Sequence, residues 1–443
     1  MNDFTIIRRS LTARSLSTVF TTLSVAVAVG LMLVLLMMRD SGRKAFERGS
    51  GNMHLLISAE SDPLTSILNS VFYANPPRRP IEWLKFQQLQ RVAPWEFFIP
   101  VQMGDSYRGL PVIASTAEIF SKFKPDAEQA WKLRDGRFFE KEFEIVLGAK
   151  AAAETGLKLG DEVALTHGAP KRGEADKDAP APHVHDEFKF KVVGVLEPTG
   201  SAHDRALFID VVGGWIIHAH DRREAEAHAA HGGDADDHDH HDHGITTTAD
   251  NLTDEDRKIT AVYARVATRP GSDASAMIPP TFARLRADPT IQVAQPTQEI
   301  NKLFQIVGSV DQILLAMAGV VMASSGVSIL LALYNSMEQR RRQIAVLRVL
   351  GASRGRIFRL VLAESMVLGL IGSAIGVAVA FVGVRLVTAA MKERLGLVID
   401  AGIDPRLGAI VVAGAIVLAA VAGLLPAIVA YRTSVAKNLR PLG

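Results

Sequence analysis

The chain has 13 histidines, and all but His54 fall between His167 and His243. The densest run is Asp236-Asp237-His238-Asp239-His240-His241-Asp242-His243, with His228 and His231 just ahead of it and His183-x-His185 further upstream. Neutral imidazole suits zinc, copper and nickel, and carboxylates can complete such a shell. Alternating His and Asp can therefore gather a transition metal without a preformed fold, as a labile trap rather than a structural site. The candidate ligands are His228, His231, His238, His240, His241 and His243, and zinc is the expected metal. Two other readings stay open: an ordinary solvated loop, and a pH sensor, because imidazole titrates near neutrality.

Other reactive chemistry is scarce. The absence of cysteine removes disulfides, thiolate nucleophiles and cysteine-based metal sites. The polar middle of the chain shows no H-E-x-x-H or G-x-S-x-G spacing, which leaves a membrane enzyme with little support. No G-x-x-x-x-G-K-[ST] occurs anywhere, so nothing in the sequence cradles ATP phosphates. A formal net charge of +2 calls for no nucleic-acid partner.

The histidines sit in the middle of a segregated sequence. Residues 15–38, 312–337, 365–384 and 407–431 carry no charged side chain. Crossing ~30 Å of hydrocarbon takes about 20 apolar residues, so each stretch is long enough to span. Arg8, Arg9 and Arg14 precede the first stretch as they would a signal peptide, but Met37-Met38-Arg39-Asp40 offers no small-x-small cleavage site. It reads as a retained anchor. The expected order is a leader at 1–14, span 1 at 15–38, and an extracytoplasmic domain at 39–305. A stalk with span 2 follows at 306–337, then a cytoplasmic segment at 338–360 and span 3 at 361–384. A short external loop at 385–406, span 4 at 407–431 and a tail at 432–443 complete the chain. The fold class is an all-α four-helix transmembrane module with an α/β domain inserted between its first two spans.

Within the inserted domain, Glu162–Thr166 and Phe188–Leu196 read as the clearest strands, joined by His54–Ile57, Phe97–Val101 and Thr260–Val266. Helices fit near 80–92, 117–124 and 273–287. Two subdomains are expected, with residues 168–186 and 219–256 as disordered, histidine-bearing insertions. From about Gln298 a helix should run into the second span.

Orientation follows from the basic loop 338–360, where Arg340, Arg341, Arg342, Arg348, Arg354, Arg356 and Arg359 face a single acid, Glu338. Leader and tail are basic as well, which puts both termini in the cytoplasm. Small residues set close helix packing in lipid, and the candidates are Gly319 with Ala323, and Gly369, Gly372 and Gly376. No ionisable residue lies at depth; Glu364 stands at the inner edge, within reach of headgroups. That disfavours an ion-coupled carrier.

In the cytoplasmic segment, Ile344, Leu347 and Val346, Leu350 recur at helical spacing. Gly351 is a plausible helix stop, and Ser353 can cap the next helix. The run Leu347-Arg348-Val349-Leu350-Gly351-Ala352-Ser353, then Glu364 and the glycines 369, 372 and 376, resembles the C-terminal module of the FtsX/MacB-type (type VII, mechanotransmission) ABC transporter permeases. The resemblance covers roughly residues 300–443. The leader IIRRSLTARSLSTVFTTLSVAVAVG and the outer segments Trp131–Phe139, Glu144–Gly148, Leu157–Asp161 and Phe190–Val195 are also similar to the family.

The resemblance implies a permease without its own enzymatic activity, partnered by a separate ABC ATPase that holds ATP and Mg. Residues 338–353 would form the coupling contact, through Arg341, Arg342, Ile344, Leu347, Arg348, Leu350, Gly351, Ala352 and Ser353. A permease homodimer in the bacterial inner membrane is implied, with a periplasmic binding or adaptor protein as a further partner. The histidine tract departs from the family pattern and suggests a metal-linked branch. The alternatives are a membrane-anchored metal sensor or scaffold with no ATPase, and a lipoprotein-releasing permease.

Overall fold

The structure, a computed structural model, describes residues 3–126, 129–167, 184–230, 247–269, 275–395 and 405–432. These fall into two compact units: residues 44–304 with 391–399, and residues 1–43, 305–390 and 400–443. Helices α1 (Asp3–Thr12) and α2 (Ser15–Gly49) open the chain. Twelve strands follow: β1 (Leu55–Ser58), β2 (Ile81–Glu82), β3 (Trp95–Tyr107), β4 (Leu110–Ser115), β5 (Leu133–Gly136), β6 (Glu144–Leu147), β7 (Glu162–His167), β8 (Val184–Leu196), β9 (Leu207–Asp210), β10 (Lys258–Ile259), β11 (Ala261–Val266) and β12 (Gln292–Ala294). Between them lie α3 (Pro63–Ser70), α4 (Trp83–Gln90), α5 (Glu118–Ser121), α6 (Ala149–Thr155), α7 (Val211–Ala230) and α8 (Ile278–Arg286). The chain closes with α9 (Pro296–Val349), α10 (Arg354–Leu395) and α11 (Pro405–Arg432).

In the inserted domain a ten-stranded mixed sheet runs in the order β12-β1-β11-β3-β4-β9-β6-β8-β5, with β7 paired to both β3 and β8, and β2 and β10 form a separate two-stranded sheet. Strand alternation sends successive residues to opposite faces. Leu56, Ala261 and Tyr263 join one core, while Leu55, Ile57, Val262 and Ala264 join another. Both faces are therefore covered. The expected pair of subdomains is not seen. β4 pairs in parallel with β9, Val112 opposite Leu207 through Ser115 opposite Asp210, and this pairing welds the two halves into one sheet. A crossover pairing of that length leaves no local mark in the sequence.

The expected disordered insertions also need correction at their edges. Residues 219–230 continue α7, carried by good helix formers (Ala, Glu and Arg) after the apolar start at Val211. Residues 184–186 begin β8, with His185 wholly buried. Residues 247–256 fold onto α7. There the buried Asp256 accepts hydrogen bonds from Arg222 at 2.5 Å, Arg223 at 3.1 Å and the Thr253 amide at 2.7 Å. Composition counts charges but not their pairing, so a charged, well-paired segment reads as disordered. Residues 168–183 and 231–246 lie outside the described residues.

One buried group gives this domain a pH-dependent stability. His203 sits in the core, accepting a hydrogen bond from the Tyr73 hydroxyl at Nδ1 (2.5 Å) and donating from Nε2 to the Gly49 carbonyl (3.2 Å). Burial pushes its pKa down to about 4, against a smaller upward pull from the Gly49 carbonyl. Its unfolded value is about 6.5, so between those two values only the unfolded chain binds the proton. Stability should fall as pH drops from about 6.5 to about 4, by roughly 3 kcal/mol at most, and not further below that from this group. Trp83, Trp95, Trp131 and Trp215 are the only tryptophans, and all lie in this domain. Fluorescence-monitored denaturation of the full chain in detergent therefore reads this unit alone. His203→Gln should flatten the dependence across that window; an unchanged slope would show that other groups carry it.

Among the described residues, four helices contain stretches long and apolar enough to cross a membrane: Ser15–Asp40, Pro296–Met337, Arg354–Ala389 and Pro405–Arg432. The core of that unit is made by Val25, Val29 and Leu33 of α2, Ile329 and Leu333 of α9, Leu368 and Ala380 of α10, and Val411, Ala415 and Ala419 of α11.

Candidate functional site

The basic segment forms a tight helical hairpin. α9 ends in a paired-bond cap: the Ala352 amide donates to the Leu347 carbonyl at 3.0 Å, and the Gly351 amide to the Arg348 carbonyl at 3.1 Å. This cap needs a left-handed residue after the last turn. Gly351 supplies it with φ +96°, a conformation that penalises any side chain. Ser353 then caps α10, its hydroxyl accepting from the Arg356 amide at 3.2 Å.

The hairpin has a buried side and an open side. Ile344, Ile357 and Val361 pack against Met337, Ala427 and Ala430, with Ala352 and Phe358 alongside. Val346, Val349 and Leu350 point out, with Leu350 at 78% exposure. Leu347 and Arg348 are half-buried, and Arg354, Arg356 and Arg359 are exposed around them. The turn thus exposes apolar side chains at the end of α9 and three arginines at the start of α10, a mix that can receive an apolar groove with acidic margins. The side chains of Arg341 and Arg342 lie outside what is described.

Two contacts tie the leader to α10. Asp3 pairs with Arg356 at 2.7 Å on the surface. Deeper, Glu364 is 5% exposed, accepts from the Ser10 hydroxyl and pairs with Arg14 at 3.3 Å. Glu364 therefore does not face headgroups, as the sequence reading has it. A lone acid at the edge of an apolar span needs a cation, and Arg14, at the edge of span 1 on the same side, was the signal for it.

Behind the hairpin, glycines let the spans touch. A Cβ at Gly372 would stand 2.6 Å from the Val25 Cβ, and one at Gly376 2.8 Å from the Ala26 carbonyl oxygen. α10 thus lies against α2 through this pair, spaced one helical turn apart. Gly369 meets Ala419 of α11, where a Cβ would be 2.7 Å from the alanine methyl. Gly319 and Ala323 behave differently. No atom lies within 4 Å of a Cβ built at Gly319, and Ala323 is exposed, so this pair meets no other helix of the chain among the described residues. Instead, α9 approaches its neighbours through Gly326 against Leu418, and through Ser325, which hydrogen-bonds Ser24 at 3.0 Å.

Of the six tract histidines, His231, His238, His240, His241 and His243 lie outside the described residues. His228 lies on α7 with its side chain undescribed. The described histidines assemble elsewhere. Asp105 of β3 meets His167 of β7 at 3.3 Å and His218 of α7 at 3.1 Å, and His185 of β8 meets Asp221 of α7 at 3.2 Å. Burial works against the Asp105 charge, but the hydrogen bonds to His167 and His218 outweigh it and hold the carboxyl well below the usual range. Against its own burial, His218 is raised by that contact. Sequence reading missed this group, because its members come from four separate elements.

Comparison with known families places both halves of the chain. Residues 315–435 match the family described as FtsX-like permease C-terminal. Residues 18–277 match the MacB-like periplasmic core domain, which alone covers more than half of the chain. The chain belongs to the FtsX/MacB-type ABC transporter permeases.

The permease is 35% identical over 74 residues to the uncharacterized ABC transporter permease YknZ of Bacillus subtilis. The match covers 17% of this permease and 19% of YknZ, so the permease spans about a fifth of that relative's length. It is also similar to the crystal structure of the extracellular domain of the YknZ transporter from Gram-positive bacteria. There the TM-score is 0.26 at 11% identity, covering 54% of this chain and 98% of that one. Four spans and a periplasmic-type α/β domain inserted after the first make this a multi-pass membrane protein.

Proposed function

We propose that this permease transmits ATP-driven motion from a separate cytoplasmic ABC ATPase to its extracytoplasmic domain. The observation that carries this reading is the exposed Val346–Val349–Leu350 edge, followed in the chain by the exposed Arg354, Arg356 and Arg359, at a turn closed by the Gly351 cap. Exposed leucine and valine at a basic turn pack on nothing among the described residues, whereas an apolar contact bordered by charges fits a docking surface. Mg and ATP would be held by the partner, and Arg341, Arg342 and Leu347 would complete the contact. The hairpin, leader and tail would lie in the cytoplasm, with the chain in the bacterial inner membrane.

A homodimer belongs to the same reading. On α9, Ile306, Val310, Ile313, Met317, Val320, Val327 and Leu331 are all exposed and fall at alternating spacings of three and four, apart from one skipped turn. That is the pattern of a two-helix seam, and a second copy could also bring α9 close at Gly319 and Ala323. The histidine tract at 231–243 would gather zinc outside the cell membrane, linking the motion to a metal. A periplasmic binding or adaptor protein would receive it.

Co-expression with candidate ABC ATPases from the same organism tests the proposal. The two should co-purify, and hydrolysis should depend on the permease. A permease that purifies alone, beside an ATPase that ignores it, would leave a membrane-anchored scaffold as the better reading.

A further inference from the structure

Three residues of the inserted domain already stand as a metal shell would place them. Asp105, His167 and His218 each offer a ligand atom, all within 4.8 Å of one another. The carboxylate lies 3.3 Å from His167 Nδ1 and 3.1 Å from His218 Nε2. With zinc–ligand bonds of about 2.0–2.1 Å, ligand atoms of a tetrahedral shell sit roughly 3.3 Å apart, close to the separation the carboxylate already keeps from each imidazole.

The fold fixes these residues independently. β3 and β7 pair with Asp105 directly opposite His167. The β3–β4 ladder shifts register between Met103 and Ser106, and such bulges re-aim side chains at sites. α7 then brings His218, with Asp221 one turn on. Asp221 pairs with the buried His185, and His167, His185 and Asp221 form a second such cluster that shares His167. The charge balance also fits. Asp105 brings one negative charge to a divalent ion, and the Asp221 carboxylate beside His185 adds a second nearby. The nearby Arg222 is already engaged by Asp256 and Glu255.

Access is open. His167 and His218 line a cleft of about 480 Å³ together with Met103, Gly104 and Thr260. Nitrogen and oxygen donors without thiolate favour zinc, nickel or copper(II) over copper(I). Three protein ligands and an open position facing water describe an exchangeable site rather than a closed structural one.

We propose that Asp105, His167 and His218 bind one divalent transition-metal ion, zinc in the first instance, in an exchangeable site on the cleft. The site uses none of the histidines of the tract and does not depend on an ATPase partner.

The test uses the full-length protein in detergent with His228, His231, His238, His240, His241 and His243 all replaced by alanine. Zinc is titrated in competition with a chromogenic chelator. One equivalent per chain should remain. Asp105→Asn and His218→Gln should each weaken it by at least the roughly 10–100-fold that loss of even an outer-shell partner costs. His167→Gln, at a half-exposed position that tolerates substitution, should do the same, with tryptophan fluorescence confirming the fold. Cobalt substituted for zinc should give visible ligand-field bands that these variants lose. The proposal is overturned if the tract-free protein binds no zinc, or if the three variants bind it as tightly as their parent.

Discussion

Leu350→Glu should leave the permease folded yet abolish its stimulation of the partner ATPase. Leu350 is 78% exposed at the hairpin tip, and the apolar cluster that seats the hairpin does not include it. Folding therefore has no reason to suffer. If this edge docks on the ATPase as proposed, however, the new carboxylate has to be desolvated against an apolar partner. An uncompensated polar burial costs on the order of 2 kcal/mol or more, which is about 30-fold in affinity at 1.4 kcal/mol per tenfold. Co-purification should weaken by at least that factor, and stimulated hydrolysis should fall to the ATPase's own rate. Leu350→Met should remain near the parent. If Leu350→Glu stimulates hydrolysis like the parent, the hairpin edge is not the contact.

Glu364→Ala should release the leader. The carboxylate is 5% exposed and answers both Ser10 and Arg14; removing it leaves a guanidinium at the membrane's edge without its acid. Breaking a buried ion pair from one side costs about 3–5 kcal/mol. The exposed Asp3–Arg356 pair cannot replace it, since surface pairs contribute about 0–1 kcal/mol. Hydrogen exchange across residues 3–14 should accelerate strongly, and thermal stability in detergent should fall. Glu364→Gln should be intermediate, because it keeps the bond from Ser10. Unchanged protection of α1 in Glu364→Ala would show that the leader is held by its apolar face alone.

Local chemistry was readable from the chain, and long-range register was not. The spans announce themselves by apolar length, and the hairpin by Gly351 and Ser353, whose capping bonds reach no further than five residues. Close glycine spacing was informative only in part. Gly372 and Gly376 lie against α2, whereas Gly319 and Ala323 have the same spacing but meet no helix of this chain among the described residues. Spacing marks a face that can be approached; it does not say what approaches. The histidines teach the same lesson. The tract drew attention by its density, yet the cluster among the described residues is centred on Asp105, which lies 62 residues from His167 and 113 from His218. Only the β3–β7 register and the packing of α7 bring them together, and no composition or motif encodes that. The large sheet was hidden for a like reason, since the β4–β9 pairing joins strands from distant parts of the sequence, Val112 opposite Leu207.

The most direct test of ATP-driven transmission is hydrogen exchange on the permease–ATPase complex in nanodiscs, nucleotide-free and with ATP trapped by vanadate. Trapping should change exchange in the hairpin at 344–357 and, with it, in stretches of the inserted domain between residues 44 and 304. The same comparison with Leu350→Glu should show no change in the domain. Exchange that responds in the hairpin while the inserted domain stays the same in both states would contradict transmission to the outer domain.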